Sequence, residues 1–420
     1  MKLRGRNAKR VCIVTSGHLS TCPRMLKAAD SLAEAGYEVR VVSARYMDWA
    51  WHADQEVRRT RSWKWSALDY DRESAPAKYI QTGVRFRSAQ CIAKSLGPGH
   101  CPLSLAERAY SRAHTELVRE VLREPADLIY GGTSGALAAT AEAANRSGVP
   151  YALDLEDLHS AQHWPTPEGR FFDFLAERIE RAVLAAAAFI TAGSDAIARA
   201  YRDKYRVGVI PLHNTFPLPP IDPQMNNPQT RPLLLYWFGQ TIGLGRGLET
   251  VVQALGWGDI PSQLHLRGRA IPSDLHGLES FAADVAPNLR VVLHNPAPPD
   301  TMVDLCRPYE LGLATEPGLP GNNEAALSNK ALTYILAGLA VVITDTPGQR
   351  PLARDLGEGA LLYKPGDVAT LAAGLKCWAE NKSLLTRARI AAWEAARRRW
   401  HWEHPEERGA LLKAVAGVFN

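Results

Sequence analysis

The sequence predicts an α/β protein made of two Rossmann-like domains facing each other across a cleft. Short apolar runs such as Val11-Cys12-Ile13-Val14 and Leu233 to Phe238 end in small or polar residues and lead into helical stretches, the alternation of a doubly wound parallel sheet. The 420 residues exceed what one hydrophobic core usually serves, so two domains of about 200 residues each are expected. Between the two alternations lies Pro217-Leu218-Pro219-Pro220-Ile221-Asp222-Pro223-Gln224-Met225-Asn226-Asn227-Pro228, which suits neither a helix nor a central strand and reads as a linker.

The first domain opens with the strand Val11 to Val14, the loop Gly17-His18-Leu19-Ser20, an amphipathic helix from Pro23 to Ala35 closed by Gly36, and a strand from Val39 to Ser43. Leu128-Ile129-Tyr130 with Gly131-Gly132 follows, then a helix around Ala136 to Ser147 and the strand Tyr151-Ala152-Leu153-Asp154. An alanine-rich helix near Ala176 to Ala188 leads to Phe189-Ile190-Thr191 and a further helix from Ser194. In the second domain, Leu233 to Phe238 precedes a glycine-rich loop and a helix from Leu248 to Leu255, followed by strands at Gln263 to Leu266, Arg290 to Leu293 and Glu310 to Ala314. Leu384 to Arg399 and Pro405 to Val418 are helical in pattern, and Trp393, Trp400 and Trp402 give that segment an apolar face expected to cross back onto the first domain. The expected boundaries are 1–216, a linker at 217–232, a second domain at 233–395 and a returning helix at 396–420.

Composition excludes several classes of protein. Hydrophobic content of 46% with 22% charged residues fits a globular chain. The net charge of +5 is matched by Lys2, Arg4, Arg6, Lys9 and Arg10 alone, so the remaining body is close to neutral and does not read as a nucleic-acid binder. No apolar segment approaches the roughly 20 residues that span a bilayer, and Val11 to Val14 is too short for a signal peptide, which places the chain in the cytosol. Cys12, Cys22, Cys91, Cys101, Cys306 and Cys377 show no metal or redox spacing, so reduced thiols and no zinc site are expected.

One stretch carries more chemistry than the rest. After Leu311-Gly312-Leu313-Ala314 and a loop rich in Gly, Pro and Asn comes Ser328-Asn329-Lys330, opening a helix that Gly338 closes. Ser328 or Asn329 can cap it, and a helix N-terminus bearing a lysine is a natural seat for phosphate.

These features together resemble the GT-B fold of family 4 glycosyltransferases over nearly the whole chain. The motifs are Arg24 with Leu32 through Gly36-Tyr37-Glu38-Val39, Thr191-Ala192-Gly193-Ser194 with Pro211-Leu212-His213-Asn214, and Gly239 with Arg246-Gly247-Leu248-Glu249. Asn329-Lys330 with Tyr334 and Ala337-Gly338, then Trp402-Glu403, complete the set. The resemblance implies a transferase that retains anomeric configuration and uses neither metal nor resident cofactor. Its second domain is expected to hold a nucleoside diphosphate sugar, and its first domain a saccharide, lipid-linked or small-molecule hydroxyl acceptor.

The resemblance assigns the cations at the departing diphosphate to Arg246, whose planar fork suits two oxygens, and to Lys330. Gly17, His18, Gly239, Gln240, Glu316, Asn329 and Thr333 are the other expected donor contacts. Asp157 and His159, in Asp154-Leu155-Glu156-Asp157-Leu158-His159, are expected beside the reacting sugar or the acceptor hydroxyl. Two positions depart from the family. Gln240 stands where many relatives carry arginine. Glu316 and Glu324 match the spacing of the family's paired glutamates, yet counting back from Gly338 puts Thr333 and Ala325 in those places. Thr333 then meets a ribose hydroxyl more weakly than a carboxylate does.

The stretch from Trp49 through Trp65, with Arg58, Arg59 and Arg61, interleaves aromatics and cations. It reads either as a sheet-edge cover or as a surface for an acceptor or for anionic lipid, which leaves peripheral contact with the inner membrane face open. Two alternatives to transfer stand: a non-catalytic GT-B partner subunit and a sugar-nucleotide 2-epimerase.

Overall fold

The computed structural model describes residues 8–225, 232–243, 245–298, 301–319 and 321–420. Lys2, Arg4 and Arg6 of the basic tail, residues 226–231 of the expected linker, Leu244 of the glycine-rich loop and Pro320 lie outside the described residues. The described residues divide into two compact units, one within Met1–His213, Pro320–Asn322 and Pro405–Asn420, the other within Asn214–Leu319 and Asn323–His404.

The first unit holds a seven-stranded sheet of order β3-β2-β1-β4-β5-β6-β7, parallel at each pairing. Its strands are β1 Arg10–Thr15, β2 Glu38–Arg45, β3 Lys64–Asp69, β4 Leu128–Gly132, β5 Tyr151–Leu155, β6 Phe189–Ala192 and β7 Ile210–Pro211. Helices α1 Pro23–Glu34, α2 Asp48–Arg59, α3 Pro76–Leu96, α4 Leu103–Tyr110, α5 His114–Val121, α6 Leu137–Ser147, α7 Pro167–Val183 and α8 Asp195–Tyr205 cover it. Sheets covered on both faces need apolar residues at successive positions, and Val11 to Val14 are all buried. Glycines set how closely the helices approach: a Cβ at Gly131 would overlap Thr140 of α6, and one at Gly132 would overlap Met25 of α1.

The second unit holds a six-stranded sheet of order β10-β9-β8-β11-β12-β13, again parallel at each pairing. Its strands are β8 Leu233–Ile242, β9 Ser262–Ala270, β10 Leu289–His294, β11 Leu311–Ala314, β12 Ala340–Thr344 and β13 Ala360–Tyr363. Its helices are α9 Leu248–Trp257, α10 Pro272–Val285, α11 Met302–Cys306, α12 Gly321–Ala325, α13 Asn329–Leu336, α14 Arg350–Leu356, α15 Val368–Glu380 and α16 Lys382–Arg398, with the first residues of α12 counted in the first unit. Strand order reverses beside β1 and β4 in one sheet and beside β8 and β11 in the other, the switch points where ligands bind in such folds.

The chain returns to the first unit at Pro405, and α17 Ala410–Val418 packs there. Glu407 accepts from both the backbone amide and the ring Nδ1 of His213, and Arg408 pairs with Glu34 of α1.

Four local features differ from the sequence reading. The helix expected at Ala176 to Ala188 is α7, because Thr166 caps it and Pro167 opens it, while Ala188 already pairs its amide with Tyr151 to enter β6. Strand β8 runs past Phe238 through a register shift, so Gly239 and Gln240 lie in the strand rather than in a loop. Residues 217–225 belong to the second unit, where Pro223 and Met225 lie close to Gly338. The region from α3 to α5 is a helical block that the alternation of apolar runs did not reveal.

Candidate functional site

In the second unit, three segments meet at the carboxyl end of the sheet. Thr315, the residue after β11, donates its hydroxyl to the backbone carbonyl of Arg246 at 2.9 Å. The neighbouring Gly247 has φ of +78°, and a Cβ there would overlap the Thr315 carbonyl, so glycine is what lets the turn sit against β11. The next residue, Glu316, pairs with Lys330 in the first turn of α13, each side chain 19% exposed. Lys330 also lies 5.5 Å from the centre of the buried Trp237 ring.

Glu316 is half used. Its Oε1 accepts from Lys330 and from Ser328 Oγ, whereas Oε2 is buried with no hydrogen-bond partner among the described residues. Ser328 therefore turns its hydroxyl to Glu316 rather than capping α13, which leaves the cap hydrogen bond expected from sequence unmade. Gly338 closes the helix at φ +75°.

The other expected donor contacts are placed as follows. Arg246, Gln240 and Asn329 are exposed. Gly239 packs on the Trp237 ring, which a Cβ would overlap. Thr333 is buried, and its hydroxyl donates to the Asn329 carbonyl one turn back. Its proton is thus already committed inside the helix, and the oxygen is left as an acceptor.

In the first unit, His18 is buried with both ring nitrogens engaged. Nδ1 donates to Asp54 at 2.8 Å, and Nε2 accepts from the amides of Tyr46 and Met47 at 3.0 and 2.9 Å. Its side chain holds the loop after β1 to the segment after β2. Gly17 lies half-buried beside it, accepting from the Ala44 amide.

Asp157 accepts from Gln162 at 3.1 Å and from Asn322 at 3.0 Å. His159 is only 3% exposed, and neither ring nitrogen has a hydrogen-bond partner among the described residues, although its amide donates to Tyr201. An imidazole buried with both nitrogens unmatched costs about 1–3 kcal/mol per group.

Three residues escaped the sequence reading. Thr133 follows β4 at φ +71°, unusual for a β-branched residue, and its hydroxyl bonds to Ser16 beside the β1/β4 switch point. Burial and then the nearby Asp157 push Glu156 above the usual carboxylate range, and burial followed by Arg24 pulls Lys27 down to about 7. A backbone conformation and two shifted pKa values leave no spacing signal in sequence. Gly193 packs directly against the Glu156 carbonyl, which explains the small residue in Thr191-Ala192-Gly193-Ser194. All six cysteines are free.

Residues 23–213 match the family model described as a glycosyl transferase 4-like domain. No curated protein matches the chain. Among solved structures, it is similar to a glycosyltransferase from Rickettsia africae at 8% identity, covering 99% of this chain and 100% of that one with a TM-score of 0.69. It is similar to Anabaena Alr3699/HepE in complex with UDP and glucose at 14% identity, covering 98% and 99% with a TM-score of 0.68. Sucrose-phosphate synthase from Thermosynechococcus elongatus is likewise 14% identical, with 98% and 100% covered and a TM-score of 0.69. The fold of the chain is that of these two-unit α/β glycosyltransferase structures, the GT-B fold.

Proposed function

We propose that the chain moves a sugar from a nucleoside diphosphate sugar to a hydroxyl acceptor with retention, without a metal or resident cofactor, in polysaccharide, glycolipid or natural-product glycosylation. The observation that carries this reading is the convergence of the Arg246 turn, Glu316 and Lys330 at the end of one sheet. In it, Lys330, Arg246 and the amides of α13 stabilise the charge that develops on the departing diphosphate. Glu316, with its unmatched Oε2, accepts from a sugar hydroxyl. Asp157 and His159 serve the acceptor side. The complex of Anabaena HepE with UDP-glucose, a structure similar to this chain, supports a nucleotide-sugar donor.

Thermal-shift screening against UDP, GDP, ADP and dTDP sugars tests the proposal. A nucleotide sugar that stabilises the wild type and not Arg246→Ala or Lys330→Met supports it. No response to any of them favours a non-catalytic partner subunit, and conversion of the sugar without an acceptor favours an epimerase.

A further inference from the structure

Helix α3 is built inside out. Its buried residues are Thr82, Gly83, Ala89 and Ala93, and the two alanines pack with Ala106 and Ala109 of α4 and Leu175 of α7, with Phe171, Phe172 and Phe174 against that cluster. Phe86 is half-buried, but the four large aliphatic residues point the other way: Ile80 is 62% exposed, Val84 53%, Ile92 51% and Leu96 43%. They recur at multiples of four residues, so the row drifts by about 40° every four residues, about 160° from Ile80 to Leu96, and winds across the solvent side. A soluble helix normally puts such a row inward.

Charge on the helix is one-sided. Lys78, Arg85, Arg87 and Lys94 lie within Pro76–Leu96, and the helix contains no Asp or Glu. Arg85 is neutralised by a two-pronged pair with Glu116 of α5, while Lys78 and Arg87 are exposed. Large aliphatic side chains flanked by unpaired cations fit the boundary of an anionic bilayer, where the first enter the acyl region and the second meet phosphate. A second copy of the chain fits less well, because face-to-face α3 helices would bring like charges together.

We infer that the exposed face of α3 docks the protein onto an anionic lipid surface through Ile80, Val84, Ile92 and Leu96, with Lys78 and Arg87 at the headgroups. This site is separate from the aromatic stretch between Trp49 and Trp65, much of which packs against its own unit. Trp65 donates to Ser43, Trp63 donates to Asp30, and Arg45 lies over Trp51. The inference does not depend on the transfer reaction.

The test is flotation of the full-length chain with vesicles of phosphatidylcholine and phosphatidylglycerol, compared with phosphatidylcholine alone and repeated at raised salt. The wild type is expected to float with the anionic vesicles and to be released by salt. Ile80→Ser/Val84→Ser/Ile92→Ser, changed only at exposed positions, is expected to partition at least about tenfold more weakly. Lys78→Gln/Arg87→Gln is expected to bind less and to lose most of the salt dependence. A wild type that stays unbound on anionic vesicles overturns the inference. So does a triple variant that floats as the wild type does, or a wild type that self-associates in sedimentation while the triple variant stays monomeric.

Discussion

Replacing Arg24 with methionine should unfold the first unit far more readily, and the structure sets the size of the effect. Arg24 is buried on α1 and holds Asp154 at the end of β5 through two hydrogen bonds, with a third to the Leu212 carbonyl. Burial acts to lower the Arg24 pKa, but Asp154 outweighs it and the net shift is upward. Without Arg24, Asp154 keeps, among the described residues, the Thr191 hydroxyl, which is itself bonded to Tyr130. An uncompensated buried charge costs about 3–5 kcal/mol and an unmatched carbonyl about 1–3 kcal/mol; since one side chain serves both, the total is expected near 4–6 kcal/mol. For a unit of this size that lowers the midpoint by roughly 10–20 °C.

The assay is chemical and thermal denaturation of the full chain, with amide exchange followed in β4, β5 and β6. The second variant, Arg24→Met/Asp154→Asn, removes the charge but keeps an acceptor for Thr191 and should recover at least about half of the loss. A single-variant loss below about 1 kcal/mol, or a double variant no more stable than the single, would refute the reasoning.

Lys330→Met should lower transferase turnover by about 10²–10³-fold while changing stability by only about 1 kcal/mol, measured by initial rates with the donor identified in the screen and by a melting curve. Gly247→Ala should weaken donor binding and cost about 1–3 kcal/mol, because the Thr315 carbonyl occupies the place of the new methyl; calorimetric titration and denaturation check both. Burial draws the His213 pKa down, but its bonds to Asp195 and Glu407 outweigh that and leave it raised. Its stabilisation is therefore complete below about pH 6.5 and lost as pH climbs through the folded-state value. Amide exchange in α17 should accelerate over that rise, and His213→Gln should abolish the dependence.

Parallel strands were legible in the sequence because burial on both faces imposes unbroken apolar runs such as Val11 to Val14 and Leu339 to Ile343. Helix ends marked by Pro23, Ser194 and Gly338 were legible through their capping chemistry. At the candidate site, Arg246 and Lys330 stand out in the sequence through their glycine and helix contexts. The internal hydrogen bonds of Thr333 and His18 were not legible, because whether a polar side chain faces outward or the core depends on which hydrogen bonds its neighbours supply. The four-residue spacing of Ile80, Val84, Ile92 and Leu96 was visible, but small residues had taken the buried face of α3, and no pattern of periodicity says which side faces inward.

The bond between His213 and Glu407 spans 194 residues and encloses the second unit's sequence within the first. On the ribosome this imposes an order of events. At roughly 5–20 residues per second, the amide and ring of His213 wait about 10–40 s after synthesis for the carboxylate that completes them. During that interval the seven-stranded sheet lacks the segment that covers α1, while the six-stranded unit can mature undisturbed. A release of the nascent chain before Glu407 would leave a finished second unit attached to a first unit that lacks the carboxylate His213 requires.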